Sequence, residues 1–384
     1  MRPQSMKRIT GYLLLPMWAG LLVLPFAGQY KAFTATAVGL LVVVLWRLLT
    51  SGPVAAMRDP LAAHVSSIRD RCSSLFSLAT SPRVILVIIA CFVILPIFLN
   101  DYFQDILTLI GMYIILALGL NIVVGQAGLL NLGYVAFYAI GAYTYAILST
   151  TLGVTFWPGL AIGGLSAALC AVLLGAMTLK LRGDYFAIVT LGLGEITRIV
   201  LNNWDSLTHG PNGISGIGQP VLGGYTFHKT LDFYYLVLFL ASIVIFSLHR
   251  IISSRIGRAW IAIREDEIAA EAMGINIYVL KLLAFVIGSA VAGIAGVFFA
   301  AKMAFVSPES FTFTESVMIL CMVVLGGMGS IPGIILGAFL LIGLPEMFRD
   351  FQDYRMLAFG SALVLMMIFR PQGILGSGKI NIKT

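Results

Sequence analysis

Charge is what this sequence has least of. Asp, Glu, Lys and Arg together make up 11% of it, against roughly 25% in an average soluble domain. A chain of 384 residues could bury a large core, but it would still need a charged surface to face water. Cysteine and histidine are scarce, with four of each. Cys72, Cys91, Cys170 and Cys321 lie far apart, with no metal-ligand or redox spacing, and read as small apolar side chains. His64, His209, His228 and His249 are equally dispersed, so no metal site is expected. The chain has no G-x-x-x-x-G-K-[ST] loop to cradle ATP phosphates, no H-E-x-x-H, no G-x-S-x-G and no Asp-rich metal motif. Asp184 and Asp205 stand alone. A membrane enzyme, which needs convergent acids, a metal cluster or a nucleophile with its base, is therefore the weakest functional class. The net charge of +7 would suggest nucleic acid in a soluble protein. Here the basic residues sit between apolar runs, where they set orientation instead, and no nucleic-acid partner is expected.

What the sequence has in quantity is grease. Hydrophobic residues are 59% of the chain, and the mean hydropathy is +0.98. They form runs of roughly 17 to 25 residues, the length that crosses a hydrocarbon layer of about 30 Å as helix. Barrel strands would alternate apolar and polar residues; these runs are continuous. The expected fold is all-α: a polytopic helical membrane protein with about ten transmembrane helices and interrupted or re-entrant segments. The spans fall near 11–28, 32–49, 84–99, 105–124, 133–150, 157–179, 185–203, 231–249, 277–301, 315–344 as an interrupted pair, and 352–370. Arg2, Lys7 and Arg8 followed by Tyr12 to Phe26 look like a signal peptide, but Pro16 and Pro25 interrupt the stretch and another apolar run follows at once. An uncleaved first span is the preferred reading.

Basic residues distribute unevenly between the two sides. With the N-terminus inside, one side receives Arg47, Arg58, Arg69, Arg71, Arg83, Arg250, Arg255, Arg258, Arg264, Arg370 and others, and the other side mainly Lys31, Lys229, Lys302, Arg349 and Arg355. That bias puts both termini in the cytoplasm. The chain divides into N-terminal extra spans (1–100) with a loose cytoplasmic linker near 50–83, a core (101–375), and a cytoplasmic tail (376–384). An outside loop, Asp205 to Asp232, is rich in Gly and Pro. An inside loop near 250–277 is charged and reads as a helix-turn-helix. Within it Ala259 to Met273 are good helix formers, with Ile261, Ile268, Ala272 and Ile275 as an apolar stripe and Gly274 as a left-handed stop. Such a helix suits docking into another protein's groove; a solvated loop helix without a partner is the equal alternative.

At this loop the chain resembles the coupling loop of an ABC importer permease, whose signature is Glu-Ala-Ala, three residues, then Gly. Ala269, Ala270 and Gly274 fit, Ile268 takes the place of the usual Glu, and Glu267 comes one residue earlier. Further stretches narrow the resemblance to the branched-chain amino acid ABC transporter permeases of the LivM type: LNIVVGQAGLLNLGYVAFYAIGAY, LRGDYFAIVTLGLGEITRIVLNN, GPNGIS, SPESFTF, VVLGGMGSIPG and RPQGIL, in that order between about Asp105 and Leu375. The resemblance implies an inner-membrane subunit of a bacterial importer for leucine, isoleucine and valine. It implies a second related permease subunit, two ATP-binding cassette subunits that bind the ATP, and a periplasmic amino-acid-binding protein. No cofactor is expected in this chain. The ATPase-coupling residues would be Arg258, Glu265, Asp266, Glu267, Ala269, Ala270 and Gly274.

Two apolar stretches are broken by glycine, GQAGLLNLG (Gly125 to Gly133) and GGMGSIPG (Gly326 to Gly333). Such breaks point to a pathway at mid-membrane; close helix packing explains small residues equally. The candidate pathway residues are Gln126, Asn131, Glu195, Gly326, Gly327 and Gly329. Glu195 and Arg198, three apart, can pair on one helix face, as a gate or as a tether. Tyr134, Phe137, Tyr138, Tyr143 and Tyr145 form an aromatic cluster whose default role is packing. Gly210, Pro211 and Asn212 of the outside loop read as turns and as candidate contacts for a periplasmic partner. Two other functions remain open: a permease of the same class for another amino acid or urea, and an ion-coupled secondary carrier. A carrier would bury acids for protons, and only Glu195 lies well inside an expected span.

Overall fold

The computed structural model describes residues 92–179, 183–347 and 373. The chain divides into two units, Met1–Phe92 and Val93–Thr384, and the elements below belong to the second. The expected spans 11–28, 32–49 and 352–370, the linker 50–83 and most of RPQGIL lie outside the described residues. So does 84–99, apart from its last turns.

Among the described residues, seven helices are long and apolar enough to cross a bilayer, and a shorter apolar helix, Ile331–Glu346, accompanies them. The protein is a polytopic helical membrane protein. Its only strands among these residues form two short ribbons. The helices are α1 (Asp101–Asn121), α2 (Val135–Leu152), α3 (Phe156–Thr178), α4 (Asp184–Asn203), α5 (Thr230–Ser253), α6 (Arg255–Glu265), α7 (Glu267–Ala272), α8 (Ile277–Met303), α9 (Phe313–Gly326) and α10 (Ile331–Ala338). The first ribbon pairs β1 (Ile214–Ser215) with β4 (Phe305–Val306), and the second pairs β2 (Val221–Leu222) with β3 (Tyr225–Thr226). Helix ends are marked by local chemistry. The Asn276 side chain caps α8 by accepting from the Val279 amide at 3.2 Å, and Asp232 reaches back to the Lys229 amide at the start of α5.

The centre of the bundle is α2, α3 and α8, which pack on one another. Lipid offers no hydrophobic drive between helices, so close contact must come from dispersion between small residues. A Cβ on Gly141 would stand 2.2 Å from the Gly293 carbonyl oxygen, and one on Gly293 would stand 2.6 Å from both Ala167 Cβ and Gly163 O. Backbone therefore lies directly on backbone. Around this contact Tyr134, Phe137, Tyr138, Tyr143 and Tyr145 are all buried. They serve packing: Phe137 meets Phe285 edge-on, and Tyr134 donates to the Gly288 carbonyl at 3.0 Å.

Two spans are broken. Helix α1 ends in a π-helical turn, Ile122–Gln126, and the chain then runs without helix to Val135. The expected interrupted pair near 315–344 is α9, a turn at 327–330, and α10 continued by the π turn Phe339–Gly343. Helix α9 has 14 residues, about 21 Å at 1.5 Å per residue, and the 3₁₀ turn Pro308–Ser310 ahead of it extends it to the 19-residue span Pro308–Gly326.

Gly293→Val is expected to force these backbones apart at a cost of about 1–3 kcal/mol. Gly192, whose Cβ would meet nothing within 4 Å, should accept Ala freely. The fraction of detergent-solubilised protein that stays monodisperse after stepwise heating checks both; equal behaviour of the two variants would refute the close-packing account.

Candidate functional site

The charged loop between α5 and α8 is built as two helices, as the helix-turn-helix reading expects, but the turn falls inside the helix-forming run Ala259 to Met273 and divides it. Asp266 breaks it. Its backbone is extended, and its Oδ1 accepts from the Ile268 and Ala269 amides at 2.9 and 3.0 Å, so it ends α6 and caps α7. The expected stripe dissolves with the break: Ile268 and Met273 are 75% and 82% exposed, whereas Trp260, Ile263 and Ala270 are buried. Gly274 closes α7 at φ +81°, and its amide donates to the Glu271 carbonyl at 2.9 Å.

Two polar anchors hold this hairpin against α8. Trp260 Nε1 donates to the Leu280 carbonyl at 2.8 Å. Lys281, nearly buried, meets Glu267 at 2.5 Å. Glu267 is thus committed inside the chain, while Glu265 is 72% exposed and paired only with neighbouring Arg264 at 3.4 Å. Ala269 and Arg258 are exposed, and Arg258 bonds back to the Ser253 carbonyl. Between α7 and the start of α8 lies an open cleft of about 530 Å³, lined by residues including Leu179, Glu271, Ile275 and Tyr278.

The same end of the molecule gathers both broken segments. The Gln126 amide nitrogen donates to the Gly329 carbonyl at 3.2 Å, and the Gly329 amide donates to Asn121 Oδ1 at 2.8 Å. Gly329 sits at φ +87° and Gly327 at φ +114°, so the turn needs glycine at both. Gly326 serves packing, since its Cβ would stand 2.3 Å from the Gly333 oxygen. Gly373 of the RPQGIL stretch lies against the same turn, where its Cβ would come 2.5 Å from Gly327 Cα. Into this junction reaches Arg264, from the last turn of α6. Its guanidinium donates to the Gly125 carbonyl in the π turn of α1. Arg264 and Asn121 were missed as functional residues. A polar residue near the end of an apolar run was the only sequence signal for Asn121, and nothing local marks a partner 139 residues from Arg264.

Asn131 is fully buried and works as a cap: its Oδ1 accepts from the Gly133 amide at 3.0 Å. The neighbouring freed amides are met in the same way, Leu132 N by Thr190 Oγ1 and Val135 N by Ser316 Oγ, both at 3.1 Å. Glu195 and Arg198 do pair, at 3.0 Å, and their side chains are 33% and 37% exposed. They stand on the open face of α4, of which only 22% of the span is buried. At the opposite end of the bundle, Lys302 lies 2.8 Å from Asp105 and ties α8 to α1. There Gly210 is buried, while Pro211 and Asn212 are exposed in a 3₁₀ turn. β1 follows that turn, and its pairing with β4 pins the loop down. In the second ribbon, the hydrogen bond Tyr225 donates to Asp232 raises the phenol above its ordinary pKa. Among the described residues no cluster of His, Cys, Asp and Glu could hold a metal.

Comparison with known proteins agrees with this architecture. The family model described as branched-chain amino acid transport system / permease component matches residues 102–370. The chain is 50% identical over 302 residues to the high-affinity branched-chain amino acid transport system permease protein LivM of Escherichia coli K12, covering 73% of this chain and 71% of that one. It is 30% identical to the permease protein BraD of Pseudomonas aeruginosa PAO1 (72% and 95% covered) and 29% identical to the permease protein LivH of Escherichia coli K12 (74% and 97%). No solved structure matches it. The chain belongs to the branched-chain amino acid transport permease family.

Asp266→Ala removes the acceptor that starts α7, at a cost of about 1 kcal/mol. Hydrogen exchange at the Ile268 and Ala269 amides should accelerate roughly fivefold, with the Val279 amide, capped by Asn276, unchanged. Unaltered exchange at Ile268 and Ala269 would remove Asp266 as the break in the loop.

Proposed function

We propose that this permease subunit works in an ATP-driven importer for branched-chain amino acids in a bacterial inner membrane, with ATP bound and hydrolysed by two cassette subunits docked on α7. One observation carries the reading. The exposed α6–α7 hairpin is tied by Arg264 to the junction of both broken spans. A push delivered to α7 therefore reaches the junction where, among the described residues, the two broken spans meet. The coupling surface is the exposed side of the hairpin, with Arg258, Glu265 and Ala269, beside the cleft flanked by Glu271. Glu267 has an internal duty and acts as an anchor. Arg250, Arg255, Arg258 and Arg264 gather at this end, which makes it cytoplasmic together with both termini.

A second related permease covers α4. The exposed faces of α3 and α5 carry no charged side chain between their ends, as lipid requires. The exposed face of α4 carries Glu195 and Arg198 amid Ile188, Ile196 and Ile199. Its neighbour α9 is open too, with Thr314 exposed. A face with that mixture suits protein better than hydrocarbon. At the outer end, Pro211 and Asn212 would meet a periplasmic amino-acid-binding protein. That LivM and LivH relatives both carry the name of one transport system supports the pairing of two related permeases.

The rival reading, an ion-coupled carrier, draws on Glu315, an acid inside a candidate span that no Lys or Arg of the described residues pairs with. Leucine uptake by the assembled transporter in proteoliposomes separates the two. Uptake should survive collapse of proton and sodium gradients and stop without ATP; the reverse pattern would establish the carrier. Gly274→Pro conflicts with φ +81° and removes the amide bonded to Glu271. It should lower ATP-driven uptake about tenfold or more, an effect of roughly 1.4 kcal/mol, while the chain still inserts. Normal uptake in that variant would count against α7 as the coupling element.

A further inference from the structure

Glu315 has the least explained side chain in the bundle. It is the third residue of α9, inside the span Pro308–Gly326. The Tyr113 hydroxyl donates to its Oε2 at 2.6 Å. Tyr113 stands midway along the 26-residue span Asp101–Gln126, which sets the carboxylate near the middle of the bilayer. Glu195 is paired with Arg198 and Asp105 with Lys302. Among the described residues Glu315 pairs with no cation and has the tyrosine as its hydrogen-bond partner.

A bond from a tyrosine hydroxyl needs only a carbonyl oxygen, and a glutamine would supply one without the penalty of a charge at this depth. What a carboxylate adds is attraction for a cation. The group is half-buried rather than sealed, and Thr314 beside it is exposed, so a visitor can reach it. The surroundings are packed aromatic rings. The Tyr138 ring meets Phe311 at 5.0 Å and Phe299 at 5.5 Å. Tyr138 is also tied by its hydroxyl to Met112, the residue before Tyr113, and lies within electrostatic reach of Glu315.

We infer that Glu315, oriented by Tyr113, receives the α-ammonium of the passing amino acid, with Tyr138 and Phe311 as buried packing that holds this pair in place. The inference rests on the importer reading above and adds to it a named subsite. Glu315 points towards α1, where Tyr113 meets it, and is half-buried. One charged contact makes a weak site, as release to the cytoplasm demands.

Two substitutions separate recognition from a plain tether. Glu315→Gln keeps an acceptor for Tyr113 and loses the charge; Glu315→Asp keeps the charge and shortens the reach. Leucine uptake is measured per assembled complex in proteoliposomes. Ammonium recognition predicts that the Asp variant exceeds the Gln variant about tenfold or more, the worth of replacing a charge-assisted hydrogen bond by a neutral one. Uptake by the Gln variant equal to or above that of the Asp variant overturns the subsite. A second measurement uses the wild-type complex and does not depend on either variant folding. Dicyclohexylcarbodiimide, which enters membranes and modifies carboxyl groups, is applied and the Glu315 adduct quantified by mass spectrometry. Excess leucine should protect Glu315, and 4-methylpentanoate, which lacks the ammonium, should not. Equal adduct with and without leucine overturns the inference. If the wild-type complex takes up no branched-chain amino acid at all, the importer reading itself falls, an outcome distinct from either result at Glu315.

Discussion

A backbone that leaves the helix inside a bilayer must find a partner for every amide and carbonyl it frees, because the hydrocarbon supplies none. Much of what is polar inside this protein answers that demand. Between the π turn of α1 and the start of α2, the freed amides are taken by Asn131, Thr190 and Ser316. At the turn between α9 and α10, Asn121 and Gln126 hold the two polar atoms of Gly329. The Gly125 carbonyl is left for Arg264, which comes from outside the spans. The breaks are stable only because side chains from distant parts of the sequence complete them. Through Arg264 that dependence extends to the charged hairpin outside the spans.

The spans were legible because hydrophobic length is a local property. The runs near 133–150, 157–179, 185–203 and 277–301 match α2, α3, α4 and α8 to within a few residues. The interruption near 315–344 was legible for a related reason: GGMGSIP cannot continue a helix, and Gly327 and Gly329 do take positive φ. The charged loop was legible as a helix-turn-helix, but the position of its break was not. Helix-forming residues run through Asp266 without pause, and only the capping geometry of its side chain, set once Trp260 and Lys281 have fixed the flanks, divides the loop in two.

Site residues were harder to see, since their roles come from pairings far apart in sequence. Gln126 and Gly329 were singled out as pathway candidates from broken segments, but nothing in either segment said that they meet each other beside Arg264 of the charged loop. Glu315 sits at the edge of an apolar run, where an acid ordinarily marks a helix entering water. Its depth follows only from its contact with Tyr113, 202 residues away. Glu195 was identified as the intramembrane acid because it lies well inside the expected span 185–203, whereas Glu315 stands at the first residue of the expected pair 315–344.

The contact of Gly141 with Gly293, and of Gly293 with Gly163 and Ala167, leaves no side-chain cushion between α2, α3 and α8. Interlocked main chains of this kind resist both rolling and sliding, so the three helices form a chassis that travels whole. Shape change during a transport cycle is then confined to the members bolted on at its margin: α4, α9, and the turns that carry Gly125 and Gly329. The machine bends where its helices are already incomplete.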